Sequence, residues 1–264
     1  MVAVTADGVG RFDMGRVVQR TFSVLSRNLT VFIGLALVLS ILPQVLFALF
    51  TYAKVMAAAQ SGVADPGAML GAIPKMMLGM VVAMICGAVL QTALVHGTVA
   101  DLNGKPVTFG AALSTGLNRL LPVIGLALLS ALAIGAASML LIVPGVILAV
   151  LWCVATPVLV VERTGVFAAF GRSARLTEGS RWMIFGLMVA YLVAIWLVTL
   201  VSGAIGGIIG LALGSVGVIV NLLVQQVVMG LVSLVGTAGG AVIYYELRST
   251  KEGVGAEALA SVFD

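Results

Sequence analysis

The sequence predicts an all-α, polytopic membrane helical bundle of about six transmembrane helices, arranged as three parallel hairpins, each preceded by an amphipathic interfacial helix. Three observations lead to this fold class. Hydrophobic residues make up 61% of the 264 positions and charged residues 9%, whereas a water-facing domain carries roughly 25% charged residues. Asp, Glu, Lys and Arg are absent from four long stretches, 28–53, 76–100, 120–161 and 182–245. A similar amphipathic segment stands before each pair of expected spans.

A bilayer-spanning helix needs about 20 mostly apolar residues. The first two stretches fit one span each, at about 29–50 and 77–99. The third fits two, at about 120–142 and 146–161, with the turn at Pro144-Gly145. The last stretch holds two long spans, at about 183–207 and 220–245, or three short ones, which makes seven spans the alternative. Its glycine-rich part, 203–217, also fits a re-entrant or bent segment. None of these runs shows the period-two alternation of a membrane barrel strand. The apolar run after residue 28 is longer than a secretory signal core and is followed by no small-residue cleavage site, so it reads as a retained first helix.

The amphipathic segments run from Met14 to Arg27, from Phe109 to Arg119 and from Phe167 to Arg181. Met14, Val17, Val18 and Leu25 share one helical face in the first, and Phe109, Ala112, Leu113, Leu117 and Leu120 share one in the second. In the third, Phe167, Phe170 and Ala174 lie opposite Arg172, Arg175 and Glu178. Two readings fit: helices in the membrane interface with basic residues near anionic headgroups, or collars packed beneath the bundle. Three such units in the same direction contrast with the inverted repeats common in transporters. Between spans 1 and 2, Ser61-Gly62-Val63-Ala64-Asp65-Pro66-Gly67 reads as an extracytoplasmic loop.

Orientation follows from the basic residues. With six spans, 12 of the 14 Lys and Arg residues fall on the side of both termini, leaving Lys54 and Lys75 on the other. This predicts a cytoplasmic N-terminal segment over 1–28, a transmembrane domain over 29–247 and a cytoplasmic tail over 248–264.

The expected spans contain no Asp, Glu, Lys or Arg, which argues against intramembrane proteolysis, zinc hydrolysis and ion-coupled transport. His96, the only histidine, stands near the cytoplasmic end of span 2, with no Gly-x-Ser-x-Gly elbow to accompany it. The expectation is therefore a non-enzyme with no catalytic residue, cofactor or metal. Cys86 and Cys153 read as small buried hydrophobes. Met76, Met80 and Met84 share a face that suits packing or lipid contact, with Cu(I) as the minor alternative. At depth, Gln91, Asn221 and Gln225 form a candidate polar cluster, either bonding between helices or lining a path for a small solute. Glu162, Arg163, Arg172 and Arg175, with Glu246 and Arg248, form a candidate clamp across the cytoplasmic helix ends. Gly203, Gly206, Gly210 and Gly214 permit close helix packing or contact with another subunit.

Ile142-Val143-Pro144-Gly145-Val146-Ile147-Leu148, followed by Trp152, Pro157, Val160-Val161-Glu162-Arg163, Arg172-Ser173, Leu176-Thr177-Glu178-Gly179 and Trp182, resembles the glycerophosphoryl diester phosphodiesterase membrane-domain family. Tyr244-Tyr245-Glu246-Leu247-Arg248 with Glu252-Gly253 fits the same pattern. The resemblance implies a stand-alone membrane domain in the bacterial cytoplasmic membrane. The chain has no room for a catalytic barrel of about 250 residues, and His96 is followed by Gly97 rather than forming the His-Arg pair that begins the phosphodiesterase site. The functional expectation is a role in envelope or membrane-lipid homeostasis, the alternative being a transporter or channel for a small neutral or lipid-like substrate. Expected partners are membrane lipids, including anionic headgroups at the cytoplasmic face, and a second copy or membrane partner at Gly203–Gly214. No nucleic-acid partner is expected.

Overall fold

The uncharged stretches form six helices long and apolar enough to cross a membrane in the computed structural model, which describes residues 12–49 and 66–252. Three shorter amphipathic helices, α1 (Met14–Arg27), α4 (Phe109–Asn118) and α7 (Val166–Leu176), each lead into a pair of spans. The pairs are α2 (Leu29–Leu49) with α3 (Pro66–Leu102), α5 (Leu120–Leu140) with α6 (Ile142–Val161), and α8 (Arg181–Gly214) with α9 (Val216–Glu252). The extreme N-terminus, most of the loop expected between spans 1 and 2, and the end of the expected tail lie outside the described residues.

The amphipathic helices have two non-polar sides, and this reconciles the two readings of them. In α1, Val17, Thr21 and Val24 are buried against the bundle, while Met14, Val18 and Phe22 recur every four residues on the exposed side. The helix starts at Asp13, whose carboxylate accepts the Arg16 amide at 2.9 Å. In α7, Ala169, Ser173 and Leu176 face inward and Phe167 is 79% exposed. Trp182, at the start of α8, is 85% exposed. Each of these segments is thus packed under the spans on one side and carries outward-facing apolar side chains on the other.

Two expected turns move. The α5–α6 connection turns at Leu141, which is extended (φ −157°), and α6 begins at Ile142. Pro144 sits inside the first helical turn, where the amides have no intrahelical acceptor and a missing N–H costs nothing. Gly145 serves packing instead, since a Cβ there would lie 1.9 Å from Ser138 Oγ. The last stretch stays helical well past the expected ends and reverses at Gly214 (φ 57°, ψ −131°), a conformation open to glycine. The segment 203–217 is therefore the closed end of a two-helix hairpin, and it forms no re-entrant piece or seventh span. At this end the main chains touch: a Cβ on Gly217 would stand 2.3 Å from Ile209 O.

Two helix irregularities shape the core. A π-helical turn over Leu37–Ile41 precedes Pro43 in α2, placing the irregular hydrogen bonding where proline lacks an amide. In α6 the helix breaks after Leu151, because the Ala155 amide bonds to Trp152 O. The Leu151 carbonyl accepts instead from Ser173 Oγ of α7 at 2.7 Å, and Trp152 stacks at a tilt on Phe170 with ring centroids 4.4 Å apart. The most apolar window of both α3 and α6 is 39% buried but that of α8 only 6%, so α3 and α6 are central and α8 peripheral. Burial concentrates toward the charged ends, around Val95, Val158, Leu159, Tyr244 and Leu247, with a second cluster around Phe32, Leu35 and Leu94. Met77, Met80 and Met84 point outward from α3, as side chains facing acyl chains do.

Candidate functional site

Three ion-pair groups lock the amphipathic helices to the spans on the charged face. On α9, Tyr244, Arg248 and Glu252 recur every four residues and face α6 and α7, while Glu246, about 200° around the helix, faces α1. Toward α6 and α7, Arg172 Nε stands 3.1 Å from Glu162 Oε2 and Arg172 Nη2 pairs with Glu252. Tyr244 donates to Glu162 at 3.0 Å, Arg248 donates to Tyr244 at 3.3 Å and pairs with Glu252 at 3.2 Å. The Arg172 guanidinium is raised above its usual value, chiefly by its hydrogen bond to Glu162, so it stays charged. Toward α1, Glu246 meets Arg20 at 2.5 Å and Arg16 at 3.7 Å. Between α1 and α3, Arg27 pairs with Asp101 at 2.5 Å and the Asn28 amide donates to the same carboxylate at 2.7 Å. Arg27's own hydrogen bond to Asp101 is the main cause that raises its guanidinium.

Of the six candidate clamp residues, the structure brings together Glu162, Arg172 and Arg248. Tyr244 and Glu252 complete this network. Glu246 belongs to the separate α1 group. Arg175 contributes its main-chain carbonyl, which accepts from Lys251 Nζ at 2.7 Å. Arg163 lines a cavity described below. Glu162→Ala and Arg172→Ala are each expected to cost about 1–2 kcal/mol, between an exposed and a fully buried pair, and to lower the detergent melting midpoint by a few degrees. An unchanged melting curve for both would refute the clamp.

The polar residues at depth do not meet as one cluster. Ser202 of α8 donates to Gln225 at 3.3 Å. Asn221 packs where a Cβ on Gly206 would lie 1.8 Å from its Oδ1, a buried atom with no hydrogen-bond donor. Both residues therefore serve the α8–α9 contact. Gln91 stands about 15 Å along α3 from Asp101, whereas Asn221 stands about 37 Å along α9 from Glu246, so they occupy different levels.

A cavity of about 500 Å³ opens on the charged face between α3, α4 and the end of α6. Its α3 wall presents His96, Val99 and Ala100, with Asn103 just past the helix end continuing the same face. Lys105 comes from the following loop, Thr115, Asn118 and Arg119 from the end of α4, and Arg163 from the turn after α6. Arg163 has φ 54°, uncommon for a residue with a side chain. No carboxylate lines the cavity. Among the described residues, Lys105, Arg119 and Arg163 form no ion pair, whereas Arg16, Arg20, Arg27, Arg172 and Arg248 all do. A small cleft continues from Val99, Asn103 and Val161 to Tyr244 and Arg248.

The cavity's one hydroxyl, on Thr115, donates to Ala111 O at 2.9 Å, and no carboxylate stands among the lining residues to orient His96. No group of three His, Cys, Asp or Glu able to hold a metal ion occurs among the described residues. Sequence reasoning treated Lys105 and Arg119 as basic residues flanking the spans, Arg163 as a clamp residue and His96 as structural. Arg175, Arg181 and Lys251 likewise form no ion pair among the described residues, so what singles out these three cations is their convergence on one cavity, which exists only in three dimensions. No protein-family model matches the chain, and no curated protein or solved structure matches it.

Proposed function

We propose that the protein is a non-catalytic, multi-pass component of a bacterial cytoplasmic membrane that engages anionic phospholipid at its cytoplasmic face and serves membrane-lipid or envelope homeostasis. The observation that carries this reading is the combination, on one face, of outward aromatic anchors and basic residues. Phe22, Phe109, Phe167 and Trp182 are exposed there, beside Lys105, Arg119 and Arg163 with no acidic partner among the described residues. Exposed aromatics at this level suit the acyl boundary, and each basic residue near an anionic leaflet gains about 1 kcal/mol. The excess of Lys and Arg on this face supports a cytoplasmic orientation for it, with both termini on the same side. The residues quoted from Ile142 to Trp182 and from Tyr244 to Gly253 support membership of the glycerophosphoryl diester phosphodiesterase membrane-domain family. The transporter reading expected Gln91, Asn221 and Gln225 to line one path, and their different levels favour the lipid reading over it.

Reconstitution tests this. In nanodiscs of phosphatidylglycerol the protein is expected to melt several degrees higher than in phosphatidylcholine, and native mass spectra from mild detergent are expected to retain anionic lipid preferentially. Equal melting in both lipids, with no anionic enrichment, would reject it.

A further inference from the structure

We propose that the cavity bounded by His96, Asn103, Lys105, Asn118, Arg119 and Arg163 is a binding site for an anionic phosphate ester. This deepens the lipid reading and rests on it only for the source of the phosphate. Three cations from three separate segments converge on a space of about 500 Å³, which is in the range of small-molecule pockets. Like charges gathered without a counter-charge repel one another, and a bound anion relieves that repulsion. A phosphate presents several outer oxygens at tetrahedral angles, suited to donors arriving from α4, from the α3–α4 loop and from the α6–α7 turn. Its alcohol portion meets the amides of Asn103 and Asn118 and the imidazole of His96, groups that bond hydroxyls.

Two features narrow the ligand further. The lining contains no carboxylate, so nothing there pairs with the ammonium of a choline or ethanolamine headgroup, and a phosphate without a cationic substituent is preferred. His96 lies six positions before Leu102, the last residue of α3, so the cavity reaches about 9 Å back along that helix, toward the depth of a headgroup phosphate. The same chemistry comes from a lipid headgroup or from a soluble phosphate, and the test separates them.

Binding is measured on the full chain in detergent by thermal shift and by competition, with three probes: inorganic phosphate, short-chain phosphatidic acid and short-chain phosphatidylcholine. Phosphatidic acid is expected to raise the melting midpoint by several degrees at saturation, and phosphatidylcholine to bind at least tenfold more weakly. Competition by millimolar inorganic phosphate identifies a site that also accepts the free anion, whereas its failure to compete identifies a lipid-borne phosphate. Arg119→Gln and Arg163→Gln, which break no ion pair among the described residues, are each expected to weaken binding about tenfold, the worth of one charge-assisted hydrogen bond, while leaving the unliganded melting point near wild type. Arg175→Gln, on the exposed side of α7, is the control. If R175Q weakens binding as much as R163Q does, the cavity proposal fails and surface attraction to anionic lipid stands. If phosphate binds and R163Q abolishes it while anionic nanodiscs give no stabilisation, the cavity stands and the lipid reading fails. Unchanged binding in both R119Q and R163Q overturns the proposal outright. A variant that does not fold is replaced by R119K or R163K, expected to retain intermediate affinity.

Discussion

Replacing Arg16 and Arg20 together by alanine is expected to destabilise the protein by about 3 kcal/mol or more, on the order of 6–12 °C in melting midpoint for a chain of this size. The reason is an asymmetry of exposure. The arginine side chains are 36% and 40% exposed, but that of Glu246 is 3% exposed. Removing the cations leaves a carboxylate held away from water with its compensation gone. That compensation is chiefly Coulombic, because Glu246 Oε1 lies 2.5 Å from Arg20 Nη1 yet receives no hydrogen bond of good geometry. Removing the anion instead frees two side chains that reach water on their own stems. Glu246→Gln alone should therefore cost less than the double substitution, and adding it to R16A/R20A should recover most of the loss. Part of the deficit will remain, because Arg20 also lies over the Tyr245 ring, 5.8 Å from its centroid. Melting curves of the four proteins decide the matter. A double variant that melts with wild type, or one that Glu246→Gln fails to rescue, would show that α1 is held by its apolar face alone.

The legible and illegible parts of the fold divide along physical lines. Spans were readable because a charge in a lipid-facing helix is costly, so the gaps between charges outline the helices directly. The repeat of amphipathic helix and span pair was readable for the same reason, since Arg27, Arg119 and Arg181 sit where surface gives way to hydrocarbon. Turns were less readable. Pro144 marks a turn by composition yet is harmless inside the first turn of α6, and Gly214 is one glycine among many until its backbone angles are known. On the charged face, the sequence ends the last expected span near 245 and groups Glu246 with Arg248 in one clamp; the continuation of α9 to Glu252 is what places Tyr244, Arg248 and Glu252 on one side of a helix and Glu246 on the other. Which helix each side would meet depended on packing between elements. The cavity was hidden because its cations come from positions 105, 119 and 163, each an ordinary basic residue beside a span, and no local pattern shows that the three converge.

Gly116 gives the second large effect, through main-chain contact rather than charge. It is buried where α4 crosses α3, and a Cβ there would lie 2.7 Å from Val89 O and 2.9 Å from Val89 Cγ1. The Cγ1 contact yields to a rotamer change. The carbonyl oxygen belongs to the hydrogen-bonded backbone of a central span and does not. Gly116→Ala ordinarily gains about 1 kcal/mol of helix propensity, but here the overlap reverses the sign, and a net loss of about 1 kcal/mol is expected, rising to about 2–3 kcal/mol for Gly116→Val. Gly110→Ala in the same helix is the internal comparison, because nothing lies within 4 Å of its Cβ position, and it should leave the melting point unchanged or slightly raised. The overlap also has a consequence at the cavity. Lifting α4 from α3 displaces Thr115, Asn118 and Arg119 together, so G116V should weaken phosphate binding although it alters no charge, while G110A leaves it intact. A G116A protein that melts at or above wild type would mean that α4 slides along α3 at little cost, and the cavity wall would then be an adjustable element rather than a fixed one.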